Sequence, residues 1–169
     1  MLKLGRIEIV LDGMAYFGIL SPLLKAYNLA HFINKFFDIE LAKTLDFEKY
    51  EDEQIVDFPC YMYVSEIEQC SYHLIGNKNE AVRLFSNYPE MDFWFLVQFE
   101  NGLNDHRFLA LKEKLYNDLT QVEGVFLVVQ VEQKKLASIK DFEDFKMDFS
   151  EYCRKLLPER TQPKRRTHH

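Results

Sequence analysis

Six side chains that are able to carry chemistry fall on one edge of the first predicted helix. Helical spacing puts them on the narrow face that the apolar residues leave free; they are Tyr27, Asn28, His31, Asn34, Lys35 and Asp38. Because an imidazole titrates near neutral pH, His31 with Asn28 and Asp38 can form a proton-transfer cluster. The favoured interpretation is a helix edge whose side chains are only solvated or hydrogen-bonded. The alternative is that this polar cluster is the site of a small-ligand sensor or an enzyme.

A histidine and two cysteines also fall together, in a predicted hairpin. His73 with Cys60 or Cys70 offers an imidazole and thiols, but two thiols and one imidazole are an incomplete zinc site, so packed free cysteines are favoured. The acidic stretch Asp46–Asp57 lacks the Gly-centred alternation of an EF-hand loop and indicates a solvated segment. No phosphate loop, GxSxG, HExxH or CxxC motif is present. The sequence therefore predicts no metal ligand, cofactor or catalytic residue, and it favours a protein that is not an enzyme.

Three tyrosines of the same hairpin, Tyr61, Tyr63 and Tyr72, are able to stack on a flat ligand or a nucleic-acid base. No Lys or Arg lies between them in the sequence, whereas most sheets that bind RNA carry basic side chains beside their aromatic rings. Packing of the rings across the hairpin is therefore the favoured explanation.

Charge is distributed unevenly along the 169 residues. The chain has 21 Lys and Arg and 27 Asp and Glu; six of the bases and one acid lie from Arg154 onward, which leaves 15 bases and 26 acids, a net charge of −11, in residues 1–153. An acidic body argues against a nucleic-acid-binding face there. Residues 158–169 are predicted to be a flexible basic tail, whose Lys164, Arg165 and Arg166 are candidates for contact with RNA or the ribosome.

The stretch Ala15–Asp38 is predicted to be the packing centre of the fold. It reads as a short apolar strand, then Ser21 as helix N-cap and Pro22 at the first helical position, then a helix to about Phe37. Leu23, Ala26, Ala30, Ile33 and Phe37 make its main apolar stripe.

The other predicted elements follow from periodicity and turn residues. In the first half of the chain they are a strand Lys3–Leu11 joined by an Asp12-Gly13 turn to Met14–Leu20, a loop over Ile39–Phe58 with at most a turn of helix or an edge strand, and a hairpin over Pro59–Asn77. A polar loop follows over Asn77–Tyr88, with one possible helical turn. The second half has a central strand Met91–Glu100, a helix Asp105–Gln121 stopped by Gly124, a buried strand Val125–Val131, and a final amphipathic helix that ends near Leu156 and begins with a Ser138–Asp141 capping box. The alternative for residues 1–13 is a helix or a loose segment.

These elements predict an α+β fold. Residues 1–157 form one domain with a mainly antiparallel sheet of about five strands and two to three helices, and its core is rich in aromatic rings because the chain has 15 Phe, 9 Tyr and one Trp. If two strand–helix–strand crossovers organise the sheet, the arrangement is a split βαβ, ferredoxin-like one.

Several segments together resemble a known family. The order FGI, SP, YNLA, INKFFDIEL and DFE, then YHLIGNK, then PEMDFWFLV, over about residues 16–130, is similar to the IPExxxVDY family of uncharacterised bacterial proteins. The matching positions are Tyr27, Asn34-Lys35, Asn77-Lys78 and Asp92-Phe93, while Pro89-Glu90 directly abuts Met91-Asp92-Phe93, unlike the spacing in the naming motif. The resemblance implies a one-domain cytoplasmic bacterial protein and implies no activity.

The favoured function is a non-catalytic interaction domain that acts through a protein partner or as a homodimer. The candidate partner face is the ring stripe of the last helix, Phe142, Phe145, Phe149 and Tyr152; the alternative is that this stripe covers the sheet. Three cysteines without a pairing pattern indicate a reducing cytoplasm, and no segment has the roughly 18 apolar residues of a membrane span. The chain is therefore predicted to be cytoplasmic, without a membrane partner.

Overall fold

The computed structural model describes residues 13–99, 105–137 and 142–156, which form a single α+β domain around an antiparallel sheet. The elements, in chain order, are β1 (Met14–Leu20), α1 (Ala26–Phe37), β2 (Ala42–Lys43), β3 (Phe47–Glu51), β4 (Gln54–Phe58), β5 (Cys60–Ser65), β6 (Cys70–Gly76), β7 (Lys78–Asn79), β8 (Val82–Arg83), β9 (Phe93–Phe99), α2 (Asp105–Gln121), β10 (Leu127–Val131), α3 (Gln133–Ala137) and α4 (Phe142–Leu156). The main sheet has six strands in the order β10-β1-β9-β6-β5-β2. The predicted class is confirmed, with one strand more in the main sheet and two small ribbons, β3–β4 and β7–β8, beside it.

Strand β9 lies in the middle of the sheet because its side chains are apolar on both faces. It pairs with β1 on one side and β6 on the other. Phe95 and Val97 belong to the core on one face, whereas Trp94 and Leu96 belong to the core on the opposite face, and all four are fully buried. A continuous apolar run requires cover on both faces. The central position predicted for this strand is confirmed.

Helices α1 and α2 cover the first face of the sheet. Leu29, Ala30 and Ile33 are the buried residues of α1, and Leu115 and Leu119 are buried on α2. These side chains pack with Phe17, Leu74 and Phe95 of the sheet in one core cluster. The spacing that predicted both helices therefore also identified Ala30, Ile33, Leu115 and Leu119 as residues of their buried faces.

The second face of the sheet is covered by aromatic side chains. The ring of Phe85 lies 4.8 Å from that of Trp94 and 4.8 Å from that of Phe145 on α4, both edge-to-face. Phe47 of β3 packs edge-to-face on Phe145 at 5.5 Å. Edge-to-face pairs at these distances are individually favourable, and they give the ring-rich core that the composition predicted.

Helix α1 begins one turn later than predicted, which corrects the role assigned to Ser21. The Ser21 hydroxyl donates to the Gly124 carbonyl (2.7 Å) and its backbone N–H donates to Asp92 Oδ2 (2.7 Å), so its side chain does not cap the helix. The N-cap is Lys25, which makes no side-chain capping bond, and Leu23, predicted in the apolar stripe, is 94% exposed. Ser21 thus ties the end of β1 to the turn before β10.

Two segments predicted to be mainly irregular contain β-ribbons, and the short edge strand allowed for the first of them is β2. Residues 39–58 contain β2 and the hairpin β3–β4, in which Glu51 pairs with Gln54. The turn residues Asp52 (φ 47°) and Glu53 (φ 64°) both have positive φ, as a two-residue hairpin turn of type I′ requires. The segment after Asn77 forms the ribbon β7–β8 rather than a helical turn.

The crossover β9–α2–β10 joins two strands that are parallel to each other, with β1 between them and antiparallel to both. This is the strand relation of a split βαβ unit, while the ferredoxin-like classification stays a prediction. The predicted strand Lys3–Leu11, the Ser138–Asp141 capping box and the basic tail lie outside the described residues. In the part of the chain that the structure describes, no helix is long and apolar enough to cross a membrane.

Candidate functional site

The predicted polar cluster of α1 lies mostly on the surface of that helix. Tyr27, His31 and Lys35 are exposed, and Asp38 is the C-cap residue in the left-handed conformation (φ 54°). None of the six predicted residues lines the best-formed cavities among the described residues. The structure therefore does not bring this cluster together around a ligand-sized space.

Asn34 is the member of this cluster with a defined set of partners, and they are backbone groups. Its Oδ1 accepts from the Leu41 N–H (2.7 Å), and its Nδ2 donates to the Leu41 carbonyl (3.1 Å). The Asn34 carbonyl also accepts from the N–H groups of Asp38 and Ile39. Asn34 thus fastens the connection that leaves α1, which is a structural role.

The second Asn-Lys pair, at Asn77-Lys78, is also used to fix the backbone. Asn77 is fully buried; its Nδ2 donates to the carbonyls of Tyr88 (3.0 Å) and Met91 (2.8 Å), and its Oδ1 accepts from Phe85 N–H (3.1 Å) and Trp94 Nε1–H (2.8 Å). Every hydrogen-bonding position of this amide is therefore occupied.

Lys78, next to it, forms an ion pair with Asp92, at 2.9 Å between Nζ and Oδ1. The other oxygen of Asp92 is the acceptor for the Ser21 N–H. Among the positions that carry the family resemblance, Asn34, Asn77, Lys78 and Asp92 are thus explained by folding, without reference to chemistry.

The candidate partner face on α4 is covered by the rest of the chain, which corrects its proposed role. Phe142, Phe145 and Phe149 are buried against the second face of the sheet. Tyr152 is half-buried, and its hydroxyl contacts Thr44 Oγ1 (2.7 Å) and donates to the Leu45 carbonyl. Together with Phe47 and Phe85, the stripe covers the second face of the sheet, as the alternative interpretation of the sequence predicted, so these rings are part of the core.

The hairpin histidine and cysteines do not converge. Cys60 packs in the core on the second face and Cys70 in the core on the first. His73 is buried, its Nε2 lies 2.9 Å from Ser71 Oγ, and burial lowers its pKa to about 3, so it is neutral. Among the described residues no group of three or more His, Cys, Asp or Glu side chains is placed to hold a metal ion.

The thiols on the second face are not activated. Burial raises the pKa of Cys60 to about 11 and that of Cys153 to about 12. A thiol becomes a nucleophile when its pKa is depressed, so both are packing residues. The Tyr63 and Tyr72 rings stack across the hairpin with centroids 6.1 Å apart, as favoured from the sequence.

A cavity of about 740 Å³ lies between the end of α1, the start of α2 and the β5–β6 turn. Its apolar lining includes Phe37, Phe99 and Leu115, and α2 adds Lys114 and Asp118. The Tyr72 hydroxyl donates to Glu68 Oε2 (2.6 Å) at its wall, and burial raises the pKa of Tyr72. Cations and carboxylates therefore both face this space, and their charges do not select one class of ligand.

Strand β10 lies at the edge of the sheet, whereas the sequence predicted a buried strand. It pairs with β1 alone among the described strands. The side chains of Phe126 and Leu127 are 80% and 48% exposed, while Val128 and Val131 are buried. The apolar run of this strand gave the signal for a strand, but such a run does not distinguish a central strand from an unprotected edge.

No protein-family model matches the chain, and no curated protein matches it. The resemblance to the IPExxxVDY family stays a prediction.

Proposed function

We propose that the protein is a non-catalytic interaction domain that pairs with another polypeptide strand along the outer edge of β10. The observation that carries the proposal is the character of that edge. Leu127–Val131 contains no charge and no proline, and the exposed side chains of Phe126 and Leu127 lie at its start. An edge of this kind exposes unpaired N–H and C=O groups, and natural proteins normally protect it with charge, proline or cover.

The opposite edge of the sheet, formed by β2, is protected against strand pairing. Strand β2 has only two residues, Ala42 and Lys43, and Lys43 forms an ion pair with Asp46. A short edge strand that carries lysine is one of the standard protections against pairing. The chain therefore protects one edge of its sheet and leaves the other open over the described residues.

The expected partner is a second copy of this chain. Strand addition supplies main-chain hydrogen bonds from the edge and side-chain contacts from alternate residues. A charge-free strand meets no like-charge repulsion when it pairs antiparallel with its own copy. An extended segment of a different protein is the other partner that this edge can accept.

Two further observations support the non-catalytic part of the proposal and a cytoplasmic location, which we propose with it. His73 is neutral and packed, and the Cys60 and Cys153 thiols have raised pKa values, so these groups are not activated for catalysis. All three cysteines are free thiols, as is usual in a reducing compartment. RNA or ribosome association through Lys164, Arg165 and Arg166 stays a prediction that concerns residues outside the described part.

The proposal is tested with lysines placed on the edge. The double variant Phe126→Lys/Leu127→Lys changes two exposed side chains, and Ile67→Lys/Leu109→Lys makes the same charge change at two other exposed apolar positions. Light scattering after size-exclusion chromatography is expected to show a dimer for the wild type and the control, and a monomer for the edge variant. Circular dichroism should be unchanged in both variants.

Amide hydrogen exchange locates the contact. In the dimer, the β10 amides are expected to exchange more slowly than in the edge variant, because strand pairing occupies them. A wild-type chain that stays monomeric at every concentration, and that captures no protein from lysate beyond those captured by the edge variant, contradicts the proposal.

A further inference from the structure

A groove on another surface of the molecule runs between the hairpin β3–β4 and helix α4. It encloses about 510 Å³. The hairpin side is held in place by Phe47, whose ring packs edge-to-face on Tyr152 of α4 at 5.7 Å. The Tyr152 hydroxyl adds bonds to Thr44 and Leu45 at the end of the groove. Both walls are therefore fixed before any partner arrives, which reduces the entropy lost on binding.

The walls of this groove are acidic. Five carboxylates line it, those of Asp46, Glu48 and Asp57 on the hairpin side and those of Asp148 and Glu151 on α4, whereas Lys155 is the single cation of its lining within the described residues. Asp46 is already paired with Lys43, so the other four carboxylates are the ones that face a partner. Partial burial raises the pKa of the Asp148 carboxyl, and repulsion from the neighbouring carboxylates of Asp144 and Glu151 raises it further. A cationic group in the groove would relieve this repulsion.

Large apolar side chains are exposed beside these acids. Leu45 is 75% exposed and Tyr50 is 72% exposed, and both line the groove. A smaller cavity of about 170 Å³ shares Phe47, Tyr50 and Asp148 with the groove and adds Met147, which is 72% exposed. The groove thus continues past Tyr50 into a second recess, where Lys49 is paired with Glu51 and apolar contact surface is available.

We propose that the groove docks a basic segment of a partner protein in which Lys or Arg residues flank a large apolar side chain. The basic residues of that segment match the acidic walls of the groove, and its apolar residue matches the exposed apolar side chains there. Cationic side chains face the carboxylates of the hairpin and α4, which steers association and sets the orientation of the segment. The apolar residue packs beside Tyr50 and Leu45, because aromatic anchors in a partly enclosed recess contribute most of the binding energy at such surfaces. This surface is separate from the β10 edge, and its test does not depend on dimer formation.

The test measures binding of a short fluorescein-labelled peptide, in which Lys and Arg flank a Phe, by anisotropy to the full chain. The variant Asp148→Asn/Glu151→Gln removes two charges of the groove, and Glu66→Gln/Glu123→Gln removes two exposed charges elsewhere as a matched control. The groove variant is expected to weaken binding about tenfold, since each exposed ion pair contributes about threefold. The control is expected to bind like the wild type, and Tyr50→Ser should weaken binding without changing the salt dependence.

Three results would overturn the proposal. One is equal loss of binding in the groove variant and the control, which would assign the affinity to net charge alone. Another is binding that is retained in the groove variant and in Tyr50→Ser. The third is a wild-type chain that binds no peptide while Lys164→Ser/Arg165→Ser/Arg166→Ser in the full chain does bind it, since the groove would then serve the chain's own basic residues and not a partner.

Discussion

Replacement of Asn77 by alanine is expected to lower the free energy of unfolding by about 4 kcal/mol. The amide is fully buried and makes four hydrogen bonds, two as donor and two as acceptor. Its partners come from the whole segment between β7 and β9, so this side chain organises a stretch that has little regular structure.

The magnitude follows from the groups that the alanine would strand. The Phe85 N–H and the Trp94 Nε1–H have no other acceptor within the described residues, and both are buried. An unsatisfied buried donor costs about 1–3 kcal/mol, so two of them account for about 4 kcal/mol. The Tyr88 carbonyl is affected less, because it keeps a bond from the Met91 N–H at 3.2 Å.

Urea unfolding followed by tryptophan fluorescence measures this effect directly. The chain has one Trp, Trp94, whose indole is the partner of Asn77 and packs on Phe85 and Tyr88. With an m-value of about 2 kcal/mol per M, the midpoint of Asn77→Ala should fall by about 2 M urea. The native emission should also change, because the indole loses its hydrogen bond.

The control is Asn79→Ala, two residues along the same segment. Asn79 is only half-buried, and its side chain makes one bond, from Nδ2 to the Asp57 carbonyl at 2.7 Å. Its replacement should cost about 1 kcal/mol or less. If both variants unfold at the same urea concentration, the bonds of Asn77 do not support this segment and the reasoning is refuted.

Two further predictions concern the other polar side chains described above. Because the pKa of His73 is about 3 in the folded state and near 6.5 in the unfolded state, the unfolded chain binds the proton first and stability is lost as the pH falls below about 6.5. Between pH 7 and pH 5 this residue should account for about 2 kcal/mol of that loss, so His73→Gln is expected to show a smaller loss in urea titrations at the two pH values; an unchanged loss would contradict the assignment. Asn34→Ala removes both bonds to Leu41 and should cost about 2 kcal/mol, whereas His31→Ala, at an exposed position of the same helix, should change the free energy of unfolding by about 0.5 kcal/mol or less. Equal losses of unfolding free energy in these two variants would contradict the separate structural role of Asn34, because the side chains of the polar cluster would then contribute alike.

Elements defined by their own residues were predictable from the sequence. The run Phe93–Val97 required cover on both faces wherever it lay, and the spacing of Leu111, Leu115 and Leu119 requires a helix with one buried side. Helix α2 has the bounds that were predicted, Asp105–Gln121. In both cases the local pattern and the final environment agree.

Elements defined by distant partners were not predictable. The hairpin β3–β4 turns at Asp52 and Glu53, and glutamate is not a residue whose presence signals positive φ. Ser21 has the sequence context of an N-cap, but its hydroxyl is taken by Gly124, which is remote in the sequence. Gly124 itself has φ +85°, and a Cβ there would clash with the side chain of Leu24, so its backbone conformation and its close approach to the turn before α1 explain why glycine is needed.

The candidate site depended even more on tertiary structure. The polar residues of α1 were correctly placed on one helix edge, but whether a cavity adjoins that edge is decided by the β5–β6 turn and α2. The ring stripe of α4 was recognised from the sequence, but only the tertiary structure shows that it packs against the second face of the sheet. The acidic groove arises only when the missed hairpin β3–β4 packs on α4, so no local pattern could indicate it.

The central place of β1 also has a consequence for how the chain acquires its structure during synthesis. β1 is complete at Leu20, but its partners are β9 and β10, and the pair Tyr16–Val131 joins the two ends of the sheet in sequence. At about 5–20 residues per second, a ribosome needs on the order of ten seconds to deliver β10 after β1 has emerged. During that interval α1 and the β5–β6 hairpin can form from local contacts, and the apolar strand Met14–Leu20 gains its first partner only when β9 is complete at Phe99. Both pairings of β1 therefore join segments that are far apart in sequence, and the six-stranded sheet is complete only after β10 has been made.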